Sequence, residues 1–308
     1  MIVVKEACGT SRDRLSELEK IRAGRRIREL ENAARTERYW LPKVSGLMNG
    51  LKSSFVIEAL YALYVDDDVE SARSYLYLAE LVQLRSYFEF IRGAFSVMTS
   101  PLTLGFRVPL SNAMHLRKPL SKMRAPLLRS GSANRFAYFE SRVQQAAMIR
   151  DTAGLQSLVE QYDDHANNKS PNLRLRVDFF RALADGDSDK VQQSLEALLD
   201  PKEIKRSNYH NKQIVIGQFL GHPAMWFAKA AWINGFEIEI EHPLVASQLL
   251  DEKPLDDFSN PYGFLVDPEI QGCDLSFFGE TDDQSQLDKE RANQKFFQSL
   301  VMHHGALD

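Results

Sequence analysis

The sequence predicts an all-α fold: a compact multi-helix body of antiparallel helical hairpins with one short β segment. Three observations carry that expectation. Apolar residues recur at helical spacing behind residues that cap helix starts, from Phe55 through to Leu199. The links between these stretches are short, as at Asp185-Gly186-Asp187, and short links force neighbouring helices antiparallel. Strict apolar and polar alternation occurs convincingly only once, in Phe236-Glu237-Ile238-Glu239-Ile240-Glu241.

In chain order, Thr10 with Asp13 starts a helix carrying Leu15, Leu18, Ile21, Ile27 and Leu30 among many charges, so it reads as a largely solvated arm. A second helix covers Lys52 to Tyr64, with Phe55, Ala59 and Ala62 on one side. Asp66-Asp67-Asp68 stops it and caps the next, because a carboxylate satisfies free N–H groups at a helix start. That long helix runs from Val69 toward Val97, with Ala72, Leu76, Ala79 and Leu84 inward. Residues 99–131 hold Pro101, Pro109, Pro119 and Pro126, which interrupt regular structure; so long a connection implies a structural or binding task.

Ser132 caps a helix through Ile149, and Asp151 caps one with Leu155, Leu158, Val159 and Tyr162 inward. Pro171 opens another, carrying Leu173, Val177, Phe180, Leu183 and Ala184, and the next carries Val191, Leu195, Leu198 and Leu199. These pairs are similar to tetratricopeptide-type hairpins, yet no 34-residue repeat is legible. Between Pro223 and Gly235 the chain is apolar on nearly every side and holds one charge, Lys229, so this is the expected core helix. Lys229 is expected to snorkel or to pair with an acid. A final helix is expected over 286–302. The coarse organisation is an N-terminal helical arm (1–50), a helical core (51–250) and an acidic, aromatic-rich C-terminal extension (251–308).

Composition suits a chain that buries a real core: 44% of the 308 residues are hydrophobic and 26% charged. No run approaches the roughly 20 apolar residues of a membrane span. The four apolar residues before Lys5 are too few for a signal peptide, so a cytoplasmic location is expected. Cys8 and Cys273 stand far apart with no metal-ligand spacing, which suits two reduced thiols. The net charge of −4 hides an asymmetry. Residues 90–139 contain eight Lys or Arg and no acid, whereas residues 237–290 contain 15 acids and two bases, Lys253 and Lys289. Such poles either pair within the fold or steer an oppositely charged partner.

Catalytic signatures are absent from the sequence: no glycine-rich phosphate loop, no GxSxG and no HExxH. No enzyme activity, cofactor or metal is therefore expected. The basic stretch 90–139, with Phe106, Phe136 and Tyr138, raises a nucleic-acid reading, but the chain as a whole is acidic and no such partner is expected.

One resemblance is more particular. An apolar helix ends in Gly235, followed by Phe236-Glu237-Ile238-Glu239-Ile240, then His242-Pro243-Leu244-Val245 and Leu249-Leu250. This order resembles the immunity protein 49 family of bacterial polymorphic toxin systems, which pairs a helix ending in glycine with a short β segment and a "P-L" turn before a "LL" helix. Ser71-Ala72-Arg73-Ser74-Tyr75-Leu76-Tyr77-Leu78-Ala79 is similar to that family's long N-terminal helix. The likeness covers approximately residues 50–255, and the acidic tail lies outside it.

The resemblance implies an all-α protein that binds and neutralises a cognate, cytosol-acting toxin, such as a nuclease, by stoichiometric protein–protein contact. The other class in view is a helical scaffold or regulatory adaptor. On the toxin-binding reading, Glu237, Glu239, Glu241, Asp251, Glu252, Asp256 and Asp257 are expected to attract a basic partner surface. Phe258, Tyr262 and Phe264 are the expected anchors.

Overall fold

A computed structural model describes residues 41–90, 108–121, 132–165, 171–207, 223–242, 244–258, 260, 261 and 265. The expected helices after Thr10 and over 286–302 lie outside them, as do both cysteines, Tyr262 and Phe264. Of the described residues 74% are helical, in nine α-helices with no strand among them, so the all-α expectation holds.

Helix α1 spans Leu41–Tyr61 and runs into one π-helical turn, Ala62–Asp66. Asp67 (φ 58°) ends that turn in the left-handed conformation that Asp tolerates, and its N–H reaches the Ala62 carbonyl. Asp68 then caps α2, Val69–Phe90: its carboxylate accepts from the Ser71 backbone at 2.9 Å and from the Ser71 hydroxyl at 2.6 Å. Those bonds hold the Asp68 carboxyl below its usual range, the Ser71 hydroxyl contributing most.

The proline-rich stretch is not a plain connection. Within it, Val108–Ser111 is a 3-10 turn and Met114–Ser121 is helix α3. Pro109 falls in the turn, where i→i+3 bonding demands few donors, and Pro119 falls inside α3.

Helices α4 (Ser132–Met148), α5 (Thr152–His165), α6 (Pro171–Asp185) and α7 (Ser188–Leu198) follow, each packed against the one before. Their ends are built as the sequence implies. Asp151 accepts from the Gly154 N–H at 2.9 Å, and Asp187 from the Lys190 N–H at 3.0 Å. Gly186 (φ 73°) closes α6, with the Asp187 N–H returning to the Ala182 carbonyl at 3.0 Å. Helix α8 is Pro201–Ser207.

Helix α9, Pro223–Ile233, sits where the other elements meet, touching α4, α7 and the 3-10 turn. From Ala224 to Ala231 every residue is buried. Phe227 stacks on Phe179 at 4.7 Å and meets Phe180 edge-on at 5.1 Å, and Trp226 lies 5.9 Å from Phe180. Five aromatic rings, with Tyr162, thus interlock α5, α6 and α9. Gly235 (φ 87°) ends α9 through the return bond from the Phe236 N–H to the Ala231 carbonyl, 3.0 Å.

The expected β segment differs. Residues 236–242 keep the alternation, Ile238 and Ile240 buried and Glu237, Glu239 and Glu241 exposed, but adopt no strand. A strand needs a neighbour to complete its hydrogen-bond ladder. Here the Glu239 carbonyl accepts instead from the Gln192 side chain of α7, at 3.0 Å. Burial alone fixes the alternation.

Helix α1 crosses residue 50, and Leu255 and Leu265 are buried in the same core cluster as α9.

Candidate functional site

The lone charge of the core helix organises the most unusual polar site among the described residues. Lys229 has no exposed surface, so it does not snorkel. Its Nζ lies 2.5 Å from Asn112 Oδ1, 2.9 Å from the carbonyls of Leu249 and Leu250, and 2.5 Å from that of Asp251. These carbonyls are free because a 3-10 turn, Ser247–Leu249, ends there. Lys229 therefore binds the end of a turn rather than a carboxylate, and the chain after residue 248 is tied to the core.

Asn112 supplies the second half of the tie. It holds φ 58°, which Asn accepts more readily than other side-chain-bearing residues. From there its amide Nδ2 donates to the carbonyls of Asp251 and Lys253, at 2.9 and 2.6 Å, while Oδ1 faces Lys229. Arg73, buried on α2, donates to the Gln248 carbonyl at 2.9 Å and to the Asp251 carboxylate. Glu252 bridges two more cations, Arg117 of α3 at 2.6 Å and the exposed Arg150. On the outside Lys253 reaches Glu70 at 3.3 Å. Elements separated by more than a hundred residues thus converge on residues 248–253.

Burial is the main force on Lys229, favouring its neutral form and lowering its pKa to about 7. Arg117 and Arg73 push in the same direction, and Glu252 and Asp251 oppose them.

A second buried polar group joins α4, α5 and α6. Arg176 donates to the Glu140 carboxylate at 2.6 Å, beside Tyr162. Desolvation and the Glu140 charge raise the Tyr162 phenol well above its usual range, with Arg176 opposing. Its three members come from three packed helices, so it fixes their register.

The expected partner-binding residues divide into three sets. Glu237, Glu239, Glu241, Asp256 and Asp257 are exposed. Asp251 and Glu252 are half-buried and spent on Arg73, Arg117 and Arg150, so this part of the acidic pole pairs within the chain. Phe258 is half-buried too, edge-on to Tyr77 at 5.3 Å and to His115 at 4.7 Å. These two ring contacts fasten the acidic segment to α2 and α3. Tyr262 and Phe264 lie outside the described residues.

Sequence reasoning passed over Asn112 and Arg73. Two signals mark them: Arg73 is a charge beside Ala72 on an inward stripe, and Asn112 is a small polar residue at a turn leading into α3. Among the described residues no group of three or more His, Cys, Asp or Glu could hold a metal, and no helix is long and apolar enough to cross a membrane. In comparisons with family models, curated proteins and solved structures, the chain matches none.

Proposed function

We propose that this protein is a non-catalytic binding protein, and specifically an immunity protein that neutralises a cognate toxin by stoichiometric contact. The observation that carries the reading is the row Glu237, Glu239, Glu241, exposed on a segment whose alternate residues, Ile238 and Ile240, are buried. Three carboxylates are thereby held outward along one short segment, with Asp256 and Asp257 exposed farther along the chain. A fixed acidic row attracts a basic surface and raises its encounter rate. The row falls within the motif that resembles the immunity protein 49 family, between the glycine-ended helix and Leu249-Leu250. On this reading α4 to α7 form the antiparallel hairpins of a rigid scaffold behind the row.

The test is rescue of growth. Expression of the product of the adjacent open reading frame is expected to arrest a host cell, and co-expression of this chain to restore growth. Arrest that persists at equal or higher levels of the folded chain would overturn the reading.

A further inference from the structure

Residues 236–242 lack only a neighbour to be a strand. The run contains no turn, bend or left-handed residue, and burial alternates along it, Ile238 and Ile240 inward and Glu237, Glu239 and Glu241 outward. A period of two is that of an extended strand, in which the N–H and C=O groups of successive residues point to opposite edges. Both ends of the run are engaged within the chain. The Phe236 N–H returns to the Ala231 carbonyl, and the His242 carbonyl accepts from the Val245 N–H at 2.9 Å. Between them, the Glu239 carbonyl takes the Gln192 side chain on the edge toward α7. On the opposite edge, the N–H and C=O groups of Ile238 and Ile240 meet no hydrogen-bond partner among the described residues.

Such an edge is completed by an extended segment lying alongside at about 4.8 Å, which supplies the ladder while its side chains alternate beside those of the host. The carboxylates decide which segment fits. Glu237, Glu239 and Glu241 enter no ion pair among the described residues. Like charges directly opposite each other across a ladder repel, so a second copy of this run, glutamate facing glutamate, is disfavoured. A strand with lysine or arginine at alternate positions instead sets a cation against each carboxylate. The carboxylates alone would suit any cationic surface; their two-residue spacing beside an unmade backbone edge suits an extended one.

We propose that residues 237–241 are a docking edge for an extended basic segment of a partner protein. The segment adds as a strand along Ile238 and Ile240, with lysine or arginine side chains beside Glu237, Glu239 and Glu241. This edge deepens the binding-protein reading and rests on it only for the partner that carries the segment.

The probe is an end-capped peptide of alternating threonine and lysine, about eight residues long, the length of an ordinary strand. Two further peptides carry backbone N-methyl groups, one at every threonine and one at every lysine, and keep every charge. In an antiparallel pairing the threonine N–H groups face Ile238 and Ile240, and in a parallel pairing the lysine N–H groups do. Affinities for the full chain are measured by calorimetry at low salt. The parent peptide is expected to bind saturably, and one methylated peptide to bind at least tenfold more weakly than the other, which also gives the direction of pairing. No saturable binding of the parent, or two methylated peptides that bind alike, would overturn the edge.

Amide hydrogen exchange reads the host side. Ile238 and Ile240 are expected to exchange at least tenfold more slowly with the parent peptide bound, and unchanged exchange at both would overturn the assignment. Neutralising the exposed row by Glu237→Gln, Glu239→Gln and Glu241→Gln together is expected to weaken the parent peptide at least tenfold; unchanged affinity would overturn the part given to the carboxylates. Peptide capture is read without any toxin. Failed growth rescue beside intact capture therefore removes the toxin reading alone, and absent capture beside successful rescue removes this edge alone.

Discussion

The Nζ of Lys229 lies 2.5 Å from Oδ1 of Asn112, a contact that joins the centre of the core helix to a left-handed turn 117 positions earlier in the chain. Both side chains then reach the same backbone, Lys229 the carbonyls of residues 249–251 and Asn112 those of 251 and 253. The acidic segment is thereby held to the core by its backbone as well as by its carboxylates.

Removing Lys229 should be strongly destabilising. Lys229→Met fits a similar volume but leaves three buried oxygens, Asn112 Oδ1 and the Leu249 and Leu250 carbonyls, facing an apolar chain, so a loss of about 3–5 kcal/mol is expected, as for breaking one side of a buried polar pair. Urea unfolding followed by circular dichroism measures it. A loss below about 1 kcal/mol would mean that solvent reaches those oxygens.

Stability should also depend on pH through the same group. Lys229 titrates near 7 in the folded protein and at 10.5 when exposed, so between these values the unfolded chain binds more protons. Stability contributed by this group is therefore lowest below about pH 7 and rises toward 10.5, by at most about 1.4 kcal/mol per pH unit. The measurement is the difference in unfolding free energy between wild type and Lys229→Met from pH 6 to pH 10. Parallel curves would contradict the assignment.

Phe227→Ala should cost about 3–5 kcal/mol, the usual range for a core aromatic. Phe227 is fully buried and meets Phe179, Phe180 and Trp226, so the cavity has walls from two helices that cannot both collapse into it. A melting temperature unchanged from wild type would sink this picture of the core.

Much of this core was legible in the sequence, because helix caps and helical spacing act locally. Asp151, Asp187, Gly186 and Gly235 each do what their residue type does elsewhere, with no help from distant chain. The polar tie was not legible in the same way. Lys229 stood out as a lone charge, but its partners are mainly backbone carbonyls, which every residue carries and no pattern marks. The expected strand failed for a related reason: alternation reports which side chains are buried, while a strand also needs a neighbouring edge. For the acidic residues, composition described a charge but not its destination, so Asp251 and Glu252 looked the same as Glu237 and Asp256.

That division gives a paired prediction. Asp251→Asn with Glu252→Gln should lower the melting temperature, because Arg73, Arg117 and Arg150 lose their carboxylates. It should scarcely alter the association rate with a basic partner. Neutralising Glu237, Glu239, Glu241, Asp256 and Asp257 should leave melting within about 2 °C of wild type and slow association at low salt by about tenfold. Stopped-flow rates at two salt concentrations, beside melting curves, separate the sets. Exchanged phenotypes would mean that the inner carboxylates form the partner's field.

The central claim, neutralisation by stoichiometric contact, is tested most directly by titrating the purified toxic domain with the purified chain. Residual toxin activity is followed at concentrations well above the dissociation constant. The account predicts a linear fall in activity to near zero with a sharp end point at a fixed small-integer ratio, and a complex of matching mass. Toxin activity that stays undiminished at excess chain, with the two proteins migrating apart, would contradict it.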